Sequence, residues 1–359
     1  MASDMNITVI GASQLDASLQ AAWRDLQAGN ASLQSPCFAP EFTLAVAEVR
    51  DDVRIAVLEQ EGRISGFFPH QARWGIGLPV GGGLSDHHGV VCASGARWNW
   101  LQLLRAARLS SWRFDHLPRE QAAQVARSTP ALSPVMDLSR GFAAYLAGRR
   151  ACGIRRLGEI ERKGRKLARE VGPLRFEAHT TDQRVLETVL RLKSRQCRRT
   201  GVPDFFAQAW ARALAQRIAA TQTPHFSGCL SALYAGDTLV AAHLGMRSPG
   251  VWHWWFPVYE QALAPYSPGG LLLLNVAQAA AAQGHAMLDL GKGEDAYKHS
   301  FADGSLPLAE GWVHRPALST AWLATRGKIR QWTQAASWLQ PLRPIVRRMR
   351  QTQGGAVDA

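Results

Sequence analysis

An α/β protein of two similar halves, followed by a basic helical tail, is the fold class this sequence predicts. Three observations predict it. A strand–helix–strand unit spans residues 251–290, each half contains helices followed by a hairpin with a glycine turn, and the composition changes abruptly after Pro316.

The strand–helix–strand unit concentrates the side chains able to do chemistry. Residues 251–256 hold Trp252, His253, Trp254, Trp255 and Phe256, an aromatic run suited to a half-buried strand. Residues 271–282 have the composition of a helix, with Ser267 as its expected N-cap and Pro268 in its first turn. Gly269 and Gly270 carry no side chain to shield the first-turn N–H groups. Such a turn suits a phosphate or pyrophosphate, and it is equally an ordinary helix start. Gly284 ends the helix, and residues 286–290 read as the next strand, parallel to the first by the crossover rule. Residues 291–298 then leave the sheet with two glycines, two acids, Tyr297 and two lysines. The spacing matches neither a P-loop nor a dinucleotide fingerprint.

At 359 residues, 47% hydrophobic and 19% charged, the chain reads as globular and long enough for two cores of ordinary size. Its first nine residues lead into a strand, so no signal peptide is expected. The longest apolar run, residues 271–282, is too short to span a bilayer and includes Asn275 and Gln278. Cys37, Cys92, Cys152, Cys197 and Cys229 are scattered, with no Cys-x-x-Cys pair. That pattern predicts a cytoplasmic protein without disulfides and without a metal. The net charge of +13 calls for a polyanionic partner: nucleic acid, an anionic membrane face or a phosphate-bearing substrate.

Taken in order, helices are expected near residues 20–26 and 40–49, then a hairpin over 53–58 and 64–69 turning at Gly62. A glycine loop, residues 81–89, presents Asp86, His87 and His88, read either as hydrogen-bonded loop histidines or as an acid or base offered to a cleft. A helix over 101–109 and a strand over 112–117 follow, and residues 128–134 mark a break. One basic helix is expected between Arg140 and Arg169, then a strand at 173–178 and helices at 182–197 and 206–219. The first of these last two helices ends in Lys193, Arg195, Arg198 and Arg199. A second hairpin, 227–234 and 238–246, turns at Gly236. Expected domain bounds are 1–138, 139–316 and a tail, 317–359, of basic and tryptophan residues.

Three patterns carry a resemblance: Ser85, Asp86, His87, His88 and Gly89; residues 162–172, rich in Arg and Lys; and Tyr266, Ser267, Pro268, Gly269 and Gly270 together with residues 289–298. With the order of elements, they make residues 5–315 resemble the GNAT-fold acetyltransferases of the CelD type, associated with cellulose and exopolysaccharide, which are relatives of the FemAB aminoacyltransferases. The resemblance implies two GNAT-like domains in tandem, the second binding acetyl-CoA or another acyl-CoA. The pantetheine arm would lie between the splayed strands 252–256 and 286–290, with the pyrophosphate on Tyr266, Ser267, Pro268, Gly269 and Gly270. The turn departs from the usual Gln/Arg-x-x-Gly-x-Gly/Ala of CoA-binding members, having no basic residue at its head.

In such a site Asp289, Asp295 and His253 are candidate bases. Tyr297 and Lys298 are candidate donors to the oxyanion or leaving group, and Asp86 or His87 would hold or deprotonate the acceptor. His88, Lys193, His253, Trp254 and Tyr259 are the expected substrate contacts. The expected function is transfer of an acyl group from CoA to an amino or hydroxyl group of a sugar or envelope-polysaccharide precursor. Two alternatives stand beside it: an aminoacyl-tRNA donor gripped by the basic run, and a non-catalytic accessory of a polysaccharide synthase, held on an anionic membrane through residues 318–350.

Overall fold

The computed structural model describes residues 5–293 and 296–316. The chain divides into a compact unit, Met1–Val313, and a second, His314–Ala359, of which residues 314–316 are described. The predicted tail and Asp295 lie outside the described residues.

The first half runs β1 (Met5–Gly11), α1 (Ala17–Ala28), α2 (Pro40–Ala47), β2 (Val53–Gln60), β3 (Arg63–Arg73), β4 (Ile76–Leu78), β5 (Val91–Cys92), α3 (Trp100–Ala106), β6 (Ser111–Pro118), α4 (Arg119–Ala122) and β7 (Ser128–Asp137). After α5 (Phe142–Ala151) and α6 (Arg156–Glu170), the second runs β8 (Leu174–Glu177), α7 (Gln183–Thr200), α8 (Ala209–Ala220), β9 (Ser227–Ala235), β10 (Thr238–Arg247), β11 (Val251–Tyr259), α9 (Pro268–Ala282), β12 (Met287–Asp289), α10 (Ala296–Phe301) and β13 (Gly304–His314). The order repeats: a strand, two helices, a hairpin, then a parallel strand–helix–strand crossover. β4 pairs parallel with β6 around α3, and β11 pairs parallel with β12 around α9.

Among the described residues the strands form one sheet, ordered β1-β2-β3-β4-β6-β13-β7-β12-β11-β10-β9-β8, with β5 added to β3. The last strand of each half therefore sits beside the other half's crossover strand. β7 and β13 pair antiparallel from Val135 with Gly304 to Ser128 with Gly311, and β7 also pairs with β12. This seam corrects the expected break over residues 128–134, which is the first part of β7.

Alternation along the strands places the core on both faces. Ile55 and Val57 of β2 pack with Trp23 of α1, while Ala56 and Leu58 join Leu103 and Leu104 of α3. In the second half Leu230 and Leu244 meet Val189 and Leu214 of α7 and α8, whereas Leu233 and Trp252 meet Ile160 and Leu272 of α6 and α9. Strands covered on both sides read as nearly continuous apolar runs. The basic helix expected between Arg140 and Arg169 is two helices, broken at Gly153, whose φ of 73° leaves the helical region. α6 buries Leu157, Ile160, Gly164 and Leu167 at helical spacing, which turns most of its Arg and Lys side chains outward. Among the described residues no helix is long and apolar enough to cross a membrane.

Candidate active site

β11 and β12 pair over three positions, from Val251 with Met287 to His253 with Asp289. Beyond that point β11 continues to Tyr259, while the other strand ends and the chain turns away at Gly291. A cavity of about 800 Å³ occupies the opening between them. Trp254, Trp255 and Pro257 wall one side, and Leu290, Gly291 and Lys292 the other. The first turn of α9, from Ser267 to Gly270, and Tyr297 and Lys298 of α10 also line it. α7 adds Leu192, Lys193, Arg195, Gln196, Arg198 and Arg199, α6 adds Arg156, and the glycine loop of the first half adds Asp86.

Behind the cavity a chain of acids and histidines crosses between the halves. Asp86 Oδ2 is 2.9 Å from His253 Nε2, and His253 Nδ1 is 3.3 Å from Asp289 Oδ2. That same oxygen lies 2.6 Å from His87 Nε2. Asp289 Oδ1 accepts from the Ser133 hydroxyl at 2.6 Å and from the Gly291 N–H at 3.0 Å. Both ring nitrogens of His253 face carboxylates, so the doubly protonated ring is the form that satisfies both. Gly291, at φ 72°, turns the chain away from the sheet beside Asp86. A Cβ there would stand 3.1 Å from Asp86 Oδ2.

The electrostatics follow from the geometry. Burial opposes charge on His253, but the hydrogen bonds and charges of Asp289 and Asp86 raise its pKa well above 6.5. Burial likewise opposes charge on Asp289, and the charges and hydrogen bonds of His87 and His253 hold it well below the usual carboxylate range. Asp86 is brought down to about 2 against its own burial, chiefly by the hydrogen bond from His253 and by the charge of His253. Its side chain is 25% exposed, whereas those of His253 and Asp289 are fully buried. Of the Asp86 and Asp289 carboxylates, the one that reaches the cavity is therefore Asp86; Glu260 of the segment after β11 also lines it.

A second branch leads from Asp86 Oδ1 to His116 Nε2 at 3.6 Å, and from His116 Nδ1 to Asp115 Oδ1 at 3.0 Å. His88 Nε2 accepts the backbone N–H groups of Asp115 and His116, each at 3.0 Å. Burial holds its pKa down at about 3 despite the Asp115 charge. Among the described residues His88, Asp115 and His116 are the group whose ligand atoms cluster within 4.8 Å. The His88 Nε2 lone pair is already taken by two amide donors, and this geometry does not suit a metal ion.

Several expected roles change. Asp289 is closed in by His87, the Ser133 hydroxyl and the Gly291 N–H, with His253 Nδ1 at 3.3 Å, and has no face toward the cavity, so it holds His87 and His253 in place and is not a base in contact with substrate. His87, His88 and His253 are buried behind the cavity and are not substrate contacts. Tyr266 lies outside the lining; its hydroxyl donates to Glu170 Oε2 at 2.6 Å. Ser267 is not a side-chain cap. It stands at φ 54°, its Oγ accepts from Lys163 Nζ at 3.0 Å, and its carbonyl accepts from the N–H groups of Gly270 and Leu271. The turn thus opens fewer amide donors than expected, with the Lys163 ammonium beside it. Pro268, Gly269, Gly270, Lys193, Trp254, Tyr259, Tyr297 and Lys298 do line the cavity. Lys298 is buried and donates to the carbonyls of Gly291 and Lys292, at 3.0 and 3.1 Å.

Ser133, Asp115 and His116 were not foreseen, nor was the use of Arg156, Arg195, Arg198 and Arg199 as cavity walls. The one available signal was spacing: Leu192, Arg195, Gln196 and Arg199 fall on one face of α7.

Residues 155–299 match the model of the acetyltransferase (GNAT) domain family. No curated protein matches the sequence. Among solved structures, FemX is similar at a TM-score of 0.56 and 9% identity, over 86% of this chain and 96% of FemX. The C-terminal domain (DUF2156) of a protein described as a lysylphosphatidylglycerol synthetase from Agrobacterium fabrum gives 0.53 at 12% identity, over 86% and 97%. A tandem GNAT protein of the clavulanic acid biosynthesis pathway gives 0.49 at 13%, over 88% and 100%. The chain carries a GNAT acetyltransferase domain within a tandem GNAT-like α/β fold. Its class is acyltransferase.

Proposed function

We propose that the chain moves an acyl group from acyl-CoA to an amino or hydroxyl group of a sugar or envelope-polysaccharide precursor. The observation that carries this reading is the cavity at the parting of β11 and β12. Its wall holds Arg156, Lys193, Arg195, Arg198 and Arg199 as cations together with the first turn of α9, and Asp86 lines it as an anion. The cationic wall fits the phosphates of CoA, and the volume falls within the range of small-molecule sites. The parted strands leave room between them for the pantetheine arm. In this reading Asp86 receives the proton the acceptor loses as it attacks the thioester carbonyl, and Lys298 and Tyr297, which line the same cavity, donate to the oxyanion or leaving group. The polysaccharide acceptor rests on the resemblance to the CelD type.

A second reading is an aminoacyl ester delivered on tRNA. The similarity to FemX and the arginines on the cavity side of α7 favour it. Calorimetric titration with acetyl-CoA and CoA at two salt concentrations separates the two. Saturable binding at both salts supports the CoA donor. Absence of binding, with a salt-sensitive tRNA shift in a gel assay, replaces it with the tRNA donor.

A further inference from the structure

We propose that His116 and Asp115 form the route by which the acceptor's proton leaves Asp86 for solvent, along a branch separate from the buried Asp86–His253–Asp289 chain. The proposal rests on the transferase reading of the cavity and adds residues that this reading does not require.

The argument is geometric. Asp86 has two neighbouring imidazoles. The one on Oδ2, His253, leads to Asp289 and from there to Ser133 and His87, all of them buried. A proton sent that way has no outlet. The one toward Oδ1, His116, is itself 7% exposed, but its Nδ1 meets Asp115 Oδ1, and the Asp115 side chain is 41% exposed without lining the cavity. This second branch connects the cavity with water elsewhere.

The 3.6 Å separation of His116 Nε2 from Asp86 Oδ1 fits the same reading. In the tautomer that donates Nδ1–H to Asp115, His116 keeps a lone pair on Nε2, an atom that is buried and has no hydrogen-bond partner among the described residues. An acceptor nitrogen facing an ionised carboxylate stands off. A proton arriving on Asp86 turns that contact into a donor–acceptor pair, able to close to about 2.8 Å. The groups facing this ring are Asp86, the rings of His87 and His88 at 6.3 and 5.8 Å, and Asp115, whose carbonyl accepts from Lys292.

The step balances. The acceptor nitrogen or oxygen forms a bond to the acyl carbon, the C–S bond breaks, and CoA leaves as thiolate, to be protonated from solvent. The acceptor's proton passes to Asp86 Oδ1 and then to His116 Nε2. His116 Nδ1 releases its own proton to Asp115 Oδ1, and Asp115 passes it to water. His116 and Asp115 touch no substrate; they act through Asp86.

The test needs no substrate, so it stands apart from the transferase reading. The full chain, labelled with ¹⁵N in histidine, is examined by NMR, the His116 ring being assigned from its loss in His116→Gln. Exchange of its ring N–H with water is compared in the unmodified chain and in Asp115→Asn, whose side-chain oxygen still accepts the hydrogen bond but cannot carry the proton onward. Exchange should slow by about a hundredfold, the low end of what a positioned proton acceptor supplies. An unchanged rate in Asp115→Asn overturns the proposal, and Asp115→Ser provides the same comparison should the asparagine variant misfold. If exchange slows while the chain proves inactive toward every acyl-CoA, the route stands and the transferase reading fails.

Discussion

Asp86 and His253 come from opposite halves of the chain, 167 residues apart, and meet with Oδ2 2.9 Å from Nε2. The contact joins a glycine loop after β4 to the point where β11 parts from β12. Because the other ring nitrogen of His253 faces the fully buried Asp289, the pair is one end of a charged chain running into the core. Its open end is a carboxylate that lines the cavity.

Asp86→Asn keeps the shape and removes the proton acceptor. Turnover should fall by about 10²- to 10⁴-fold, with the far-UV circular dichroism spectrum unchanged. Full activity in the asparagine variant would remove Asp86 from the chemistry.

Asp289→Ala should be a stability variant. It strips the partner from two histidines, a hydroxyl and a backbone N–H, and leaves His253 charged against Asp86 alone. Breaking such a buried pair costs about 3–5 kcal/mol. Ser133→Ala, which removes a single donor to the same carboxylate, should cost about 1–3 kcal/mol. Urea unfolding of both variants checks the order.

The chain's stability should depend on pH in two directions. His253 has a raised folded-state pKa, so its contribution is complete below 6.5 and is lost as pH rises through that higher value. Asp86 is depressed from 3.8 to about 2, so its contribution is present above 3.8 and is lost as pH falls through about 2. The melting temperature should therefore decline on the alkaline side, and His253→Gln should flatten that decline. A slope unaffected by the substitution would assign it to other groups.

Gly270→Asp tests the donor seat. It places a carboxylate at the first turn of α9, where a Cβ meets the end of the Ile160 side chain at 2.9 Å, and should weaken acetyl-CoA binding by about 2 kcal/mol through like-charge repulsion. Gly270→Ala makes the same steric contact without the charge and should bind nearly as the unmodified chain does. Equal loss in both would assign the effect to packing.

Arg195→Ala and Arg199→Ala should each weaken donor binding by roughly 1 kcal/mol, and the double variant should show a shallower dependence on salt, with Arg156, Lys193 and Arg198 still in the wall. Calorimetry at two ionic strengths reads both effects.

How much of this was legible in the sequence differs from element to element. Both hairpins and the parallel crossover of β11, α9 and β12 follow from alternation, caps and glycines, because those signals are local; the loop expected over residues 291–298 instead runs into α10, which carries Tyr297 and Lys298. The seam strands do not follow from such signals. β7 and β13 carry Pro130, Pro134 and Pro307, residues that read as a break and that ordinarily keep a segment out of a sheet interior. Asp86 could be singled out because it stands beside two histidines in a glycine loop. His116 and Ser133 could not, because a histidine or serine on a strand looks the same whether it meets water or a carboxylate.

The sequence by itself determined the α/β class, the repeated order of elements, the crossover that opens the cavity and the surplus of positive charge, all written in spacing over a few turns or strands. Tertiary structure alone decided which carboxylate reaches the cavity. Asp86 and Asp289 are the same residue type, each near a histidine, and both were candidates for the reacting base. Strand exchange at the seam buries Asp289 beneath Ser133, His87 and His253 and leaves Asp86 at the surface of the cavity. The physical reason is that solvation and hydrogen-bond saturation depend on long-range packing, and they, not residue type, determine which acid is free to take a proton.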